Sequence, residues 1–253
     1  VTGLERLDVI AQVVRSRLEH CSPVLVVSAF SGVTELLRRA AQLATTEAAD
    51  DVLRDFDSVH YSALGDMTDP TIGVTRDTEA LLGEAKRLIR GIGLIGECSA
   101  RTLDQVLSLG ERLSARLVAA GLVERGLQAH AVDARDIIIT NDQHGEAEVD
   151  FEQTEASAAG LLADAFSVPV VTGFSGGTAS GQRSTLGQGG SDYSAAVLGW
   201  ALRAQEVEIW TDVSGVMTAD PRTVSDARPL RTLAYNELLE LSHWGARVVH
   251  PKT

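Results

Sequence analysis

The chain has 253 residues, 44% of them hydrophobic and 23% charged, with 35 acidic against 22 basic side chains and a formal net charge of −13. That length supports one large α/β domain with its own core, and the acidic excess argues against the basic face that a nucleic-acid partner requires. Cys21 and Cys98, the two cysteines, stand at no metal-ligand or redox spacing, so a disulfide framework is excluded and a reducing compartment is expected.

No uninterrupted apolar run approaches the roughly 20 residues of a bilayer span, and no basic-then-apolar signal segment opens the chain. A soluble, cytoplasmic protein with neither membrane nor nucleic-acid partner is expected. In chain order, Leu4, Leu7, Ile10, Val13, Val14 and Leu18 recur at spacings of three and four, which predicts a helix over 4–19. Val24 to Val27 follow Pro23 as a short apolar run, as expected of a strand buried on both faces of a parallel sheet. The chain leaves that run through Ser28-Ala29-Phe30-Ser31-Gly32-Val33-Thr34 and enters a helical pattern over 35–43. Such a turn offers N–H groups and hydroxyls to an anion, or else Thr34 or Ser31 merely caps the helix.

Residues 50–96 hold two helical patterns, 51–64 and 75–92, with no strand between them, which predicts a helical insertion beside the sheet. A long helix follows from about Ser99 to Gly126, with Leu103, Val106, Leu113 and Leu117 as its stripe. Glu111 sits beside that stripe next to Gly110, either as a carboxylate for a substrate ammonium or as solvated surface. Further strands are expected at Ala129–Val132, Ile137–Ile139, Pro169–Val171 and Val207–Trp210. Strands alternating with helices predict a mostly parallel sheet covered on both faces, with ligands outside the carboxyl ends of the strands.

Two later segments carry candidate chemistry. In 185–196, Gly189 and Gly190 lead into a helix capped by Ser191 or Asp192; glycines let backbone approach a phosphate whose charge the helix N-terminus favours. Its spacing matches neither the Walker A nor the dinucleotide fingerprint, and a structural turn is the alternative. In 209–222, Asp220-Pro221 signals a turn and Arg222 could meet phosphate oxygens, or the segment is an exposed loop.

Taken together, the segments VVSAFSGVTELL, SLGERLSARL, VDARDIIIT, PVVTGFSGGT, STLGQGGSDYSAA, EIWTDVSGVMTADPR and HWGARVVHPKT resemble aspartate kinases of the amino-acid kinase family from about Pro23 to the last residue. The pairing of LG-x-GGSDYSAA with WTDV-x-GV-x-T-x-DPR distinguishes that group from relatives acting on glutamate, acetylglutamate or nucleotides. The resemblance implies an α/β fold: an open αβα sandwich around a mostly parallel sheet, with a helical insertion. It also implies ATP and Mg²⁺ as cofactors, L-aspartate as the small-molecule substrate and a homodimer.

The same resemblance assigns roles. Ser28 and Asp192 would be catalytic, with Ala29 in the same phosphate-and-substrate region, and Thr34, Glu111, Gln188 and Ser191 would bind substrate, Glu111 through its ammonium. Thr211, Asp212, Met217, Arg222, Arg247, Gly189 and Gly190 would surround the nucleotide, and no residue is assigned as a dedicated metal ligand. Met217 stands where the family often has Tyr, Arg247 where it commonly has Lys, and Gln188 where it usually carries an Arg for a substrate carboxylate. Arg183 and Arg112 are candidates to take over from that Arg.

Family members open on a strand and a Lys-Phe-Gly-Gly segment, and Val1-Thr2-Gly3 resembles the stretch just after it. One catalytic domain over 1–253, truncated at both ends, is therefore expected. The implied reaction is ATP-dependent phosphorylation of the aspartate β-carboxylate to 4-phospho-L-aspartate, the first step toward lysine, threonine and methionine. Two alternatives stand beside it. One is a kinase for another small carboxylate; the other is a catalytically weak or non-catalytic module that binds nucleotide or amino acid.

Overall fold

The structure, a computed structural model, describes residues 4–68, 70–160, 167–187, 189–211, 215–220, 223–243 and 253. Three short strands rich in valine set its centre: β1 (Leu25–Val27), β2 (Ala129–Val132) and, between them in space though fourth in sequence, β4 (Val168–Thr172). They pair in parallel in the order β1-β4-β2, with Leu25 opposite Val170 and Ala131 opposite Val170 from the other side. Side chains alternate across a strand, and the alternation here feeds two cores. Val27, Val168 and Val170 enter one core with the long helix α5 (Ala100–Glu124), and Val171 enters the other with α7 (Gly190–Ala201). Both faces are covered along the central strand β4, which is buried throughout, as the αβα arrangement expects, whereas the edge strand β2 leaves His130 and Ala131 exposed.

A second small sheet joins β3 (Ile139–Thr140) in parallel to β5 (Ser175–Thr178), which pairs antiparallel with β6 (Arg183–Thr185). The remaining helices are α1 (Leu7–Leu18), α2 (Val33–Gln42), α3 (Ala48–Gly65), α4 (Ile72–Ile95), α6 (Phe151–Ala158) and α8 (Tyr235–His243). Helices α3 and α4 form the predicted insertion and pack beside α2 and α5. Their ends follow from local chemistry. Thr71 and Ser99 accept hydrogen bonds from the Val74 and Thr102 N–H groups to cap α4 and α5, and Gly96 at φ 81° ends α4. No described helix is long and apolar enough to cross a membrane.

Several expectations are corrected. Val207–Trp210 forms no strand: Val207 and Trp210 are exposed, and no described strand lies alongside to complete a ladder. Of the run Ile137–Ile139, only Ile139 belongs to a strand. The chain just before it is a 3-10 turn over Ala134–Asp136 that Asp133 caps by accepting from the Arg135 N–H. Neither functional helix is capped by a side chain. Gly32 (φ 79°) precedes α2 and Gly189 (φ 77°) precedes α7, so Ser31, Thr34, Ser191 and Asp192 do not serve as caps.

Candidate active site

The carboxyl ends of β1 and β4 open onto a cavity of about 680 Å³. Its walls come from the β1–α2 turn, from α5, from the turn after β4 and from the glycine-rich entry to α7. Ala29 and Val33 stand so close to α5 that a Cβ on Gly110 would lie 2.8 Å from the Ala29 Cβ and 3.0 Å from a Val33 methyl. That close approach brings the Ala29 N–H to Glu111, where it donates to Oε1 at 3.2 Å. Glu111 is 2% exposed, and its Oε2 has no hydrogen-bond partner among the described residues. Burial pushes its carboxyl up from 4.5 to about 7, with the Ala29 N–H acting in the opposite sense. A buried carboxylate with one unsatisfied oxygen, on a residue that lines a cavity, is a ready receiver for a cation. The surface alternative for Glu111 is thereby overturned.

On the far wall, Phe174 turns the chain from β4 into β5 at φ 63°, a left-handed conformation rare outside glycine. Its carbonyl is fixed by the Leu186 N–H at 2.8 Å. Behind it, a Cβ on Gly173 would meet the Ser191 Cβ and Oγ at 2.8 Å, so glycine there lets α7 start against the sheet. The N-terminus of α7, with Gly190 and Ser191 on the cavity wall, presents backbone N–H groups without a side-chain cap, an arrangement that favours an anion. The cavity thus has a carboxylate at one side and an anion-favouring helix end at the other.

The deciding comparison is with protein families: the model of the amino acid kinase family matches residues 1–253. The chain belongs to the amino acid kinase family. Within it, the chain is 34% identical over 265 residues to aspartokinase 1, chloroplastic, of Arabidopsis thaliana, and 35% identical over 237 residues to lysine-sensitive aspartokinase 3 of Escherichia coli. Those alignments take in 100% and 91% of this chain but 45% and 51% of the relatives, so the chain spans about half their length. A crystal structure of E. coli aspartokinase III in complex with aspartate and ADP superimposes with a TM-score of 0.89 at 33% identity, over 100% of this chain and 56% of that one.

In this amino acid kinase domain, Ser28, Thr34, Glu111, Gly189, Gly190 and Ser191 share the one cavity. Asp192 lies one residue beyond them, half-buried in the first turn of α7. Thr211 is exposed, and Met217 is half-buried and bridged to Pro229; neither lines the cavity. Gln188, Asp212, Arg222 and Arg247 lie outside the described residues. Arg112 and Arg183 are engaged elsewhere. Arg112 forks onto Glu84 at 2.8 and 3.0 Å, and Arg183 forks onto Asp133 at 2.9 and 2.6 Å. Those two guanidiniums, Arg183 foremost, hold Asp133 below the usual carboxylate range despite its burial. Neither arginine is on the cavity wall.

Asp104 was not singled out by sequence reasoning. It is 1% exposed on α5, two turns before Glu111, and accepts from the Thr185 hydroxyl at 2.5 Å and the Gly145 N–H at 3.1 Å. His144 Nδ1 lies 2.8 Å from Oδ2, the same oxygen that takes the Gly145 N–H. This cluster ties α5 to β6 and to the 141–149 loop at the cavity floor. The signal was present as two acids seven residues apart, on nearly the same face of one largely apolar helix.

Proposed function

We propose that the protein phosphorylates the β-carboxylate of L-aspartate with MgATP, giving 4-phospho-L-aspartate and ADP, with residues 1–253 acting as one catalytic domain. The observation that carries this reading is Glu111: a buried carboxylate with an unpartnered oxygen on the wall of the same cavity as the α7 N-terminus. An amino acid whose ammonium is held by Glu111 has its side chain free to reach toward that helix end. The names of the relatives, which are aspartokinases, support the same substrate class.

The chemistry asks little covalent work of the chain. The aspartate β-carboxylate is ionised at neutral pH, with a reference value near 3.9, so no general base is required. One of its oxygens attacks the γ-phosphorus in line, the new O–P bond forms as the bond to the β,γ-bridging oxygen breaks, and ADP leaves with that electron pair. The residues position and neutralise. Glu111 grips the ammonium; Ser28, Thr34, Gln188 and Ser191 hold the substrate. The first-turn N–H groups of α7, with Gly189 and Gly190, receive phosphate oxygens. Asp192 and Asp212 organise nucleotide and metal, Thr211 and Met217 flank the base, and Arg222 and Arg247 offset charge.

Mg²⁺ would supply positive charge that offsets the phosphates, with Asp192 and Asp212 as the residues to hold it. The donor set suits an ion that arrives with the nucleotide: Asp192 offers a carboxylate at the α7 N-terminus, while no group of three His, Cys, Asp or Glu gathers among the described residues. A homodimer in the cytoplasm that feeds lysine, threonine and methionine synthesis completes the reading. Its test is a steady-state assay of the full-length protein with MgATP and L-aspartate, trapping the acyl phosphate as hydroxamate. Hydroxamate from aspartate is the expected result. ATP binding without product from aspartate would refute it.

A further inference from the structure

An α-amino acid bound through its ammonium brings an α-carboxylate into the same space, and that anion needs a cation or several N–H groups. Among the described residues that line the cavity, Glu35, Asp104 and Glu111 are acidic and Arg38 is the only base. Asp104 is already surrounded by Thr185, Gly145 and His144. Arg38 follows Thr34 by four residues on α2, so the two side chains stand one above the other on a single helix face, the face that borders the cavity.

Arg38 is half-buried, yet no carboxylate of a described residue pairs with it, not even Glu35 three residues earlier. Its relatives by charge behave otherwise: Arg112 and Arg183 each fork onto an acid and stand off the cavity wall. An arginine fork matches a carboxylate with two parallel N–H···O bonds, which suits a planar α-carboxylate better than a point charge does.

We propose that Arg38 binds the α-carboxylate of the amino-acid substrate while Glu111 binds its ammonium. The two charges grip the α-carbon from α2 and α5 and leave the side-chain carboxylate to face the N-terminus of α7. Arg38 then selects for a free α-carboxylate. This assignment rests on the proposed function, because it takes the cavity to hold an α-amino acid that accepts phosphate on its side chain.

The experiment is hydroxamate formation by the full-length protein and its Arg38→Ala and Arg38→Lys variants, with L-aspartate and with its α-amide, isoasparagine. The amide keeps the ammonium and the β-carboxylate but lacks the α-carboxylate charge. Arg38→Ala is expected to raise KM for aspartate by roughly 10- to 100-fold, the loss typical of a charge-assisted contact, with KM for ATP within about twofold. The wild-type preference for aspartate over the amide should collapse in Arg38→Ala and return in part in Arg38→Lys.

Equal losses on both substrates would overturn the assignment, since a merely structural arginine cannot distinguish them. So would a rise in KM for ATP in place of aspartate, which would give Arg38 to the phosphates. Failure of the underlying reading looks different: the wild-type protein itself yields no hydroxamate from aspartate. Should Arg38→Ala fail to fold, the Arg38→Lys comparison alone decides, because it keeps the charge and stem while losing the fork.

Discussion

Glu111→Gln isolates the cost of holding a charge in the cavity wall. The amide keeps an acceptor for the Ala29 N–H and nearly the same shape, but it does not ionise. Burial raises the Glu111 carboxyl from 4.5 to about 7, so between those values the folded protein holds a proton that the unfolded chain has released. More protons bound in the native state means stability falls as pH rises through that window. At 1.36 kcal/mol per pH unit the loss amounts to about 3 kcal/mol, fully present above pH 7 and absent below 4.5. The variant escapes it. Its own penalty, roughly 1–3 kcal/mol for a buried NH₂ without a partner, does not vary with pH. Urea unfolding of both proteins at pH 5, 6, 7 and 8, without ligand, should show the variant gaining steadily on the wild type by about 2–3 kcal/mol from the first pH to the last. A difference constant to within about 0.5 kcal/mol across the series would refute the reasoning, because it would mean that Glu111 ionises as it does in water.

The same group should set the acid limb of substrate use: kcat/KM for aspartate rises with pH through about 7 in the wild type, and the limb is absent from whatever activity Glu111→Gln retains. Gly110→Ala would place a Cβ 2.8 Å from the Ala29 Cβ, so the β1–α2 turn must retreat from α5; a stability loss of about 1–3 kcal/mol in urea unfolding is expected, with a higher KM for aspartate. Asp104→Asn puts an NH₂ against donors on one side or the other, since the Thr185 hydroxyl points at one oxygen and the Gly145 N–H at the other. Its expected cost is about 1–3 kcal/mol by the same measurement. Gly173→Ala drives a Cβ to 2.8 Å from Ser191 and should lower kcat through displacement of the α7 N-terminus, read from turnover at saturating substrates.

Long periodic elements were legible in the sequence. The stripes at 4–18, 51–64, 75–92 and 99–126 became α1, α3, α4 and α5 because burial of one face stabilises each. The valine runs of β1 and β4 were legible for the same reason. What escaped was decided by approach distances that no local pattern encodes. Strand β5, Ser175-Gly176-Gly177-Thr178, has the composition of a loop. It is extended because it passes so near the 3-10 turn that a Cβ on Gly177 would lie 2.1 Å from the Arg135 carbonyl oxygen. At 207–210 the propensity for strand was real, but no strand among the described residues pairs with it. In the site, Glu111 was reached through the family resemblance, whereas its burial depends on Gly110 touching Ala29, a contact made by residues 81 apart. Asp104 was passed over because an acid inside a helix reads as solvent-facing until the donors of β6 and the 141–149 loop arrive around it.

Helix α5 also acts as a ruler. Asp104 and Glu111 ride on one unbroken 25-residue rod, seven residues and so about 10.5 Å apart along its axis, and on nearly the same face. The spacing between Asp104 and the Glu111 carboxylate, the group proposed to bind the ammonium, is therefore fixed by helical pitch, not by how any loop settles. Adjustment to ligands of different length must come from the opposite walls, the β1–α2 turn and the entry to α7. A substrate longer by one methylene would have to be met there, by a few tenths of a turn of backbone, while the graduations on α5 stay where they are.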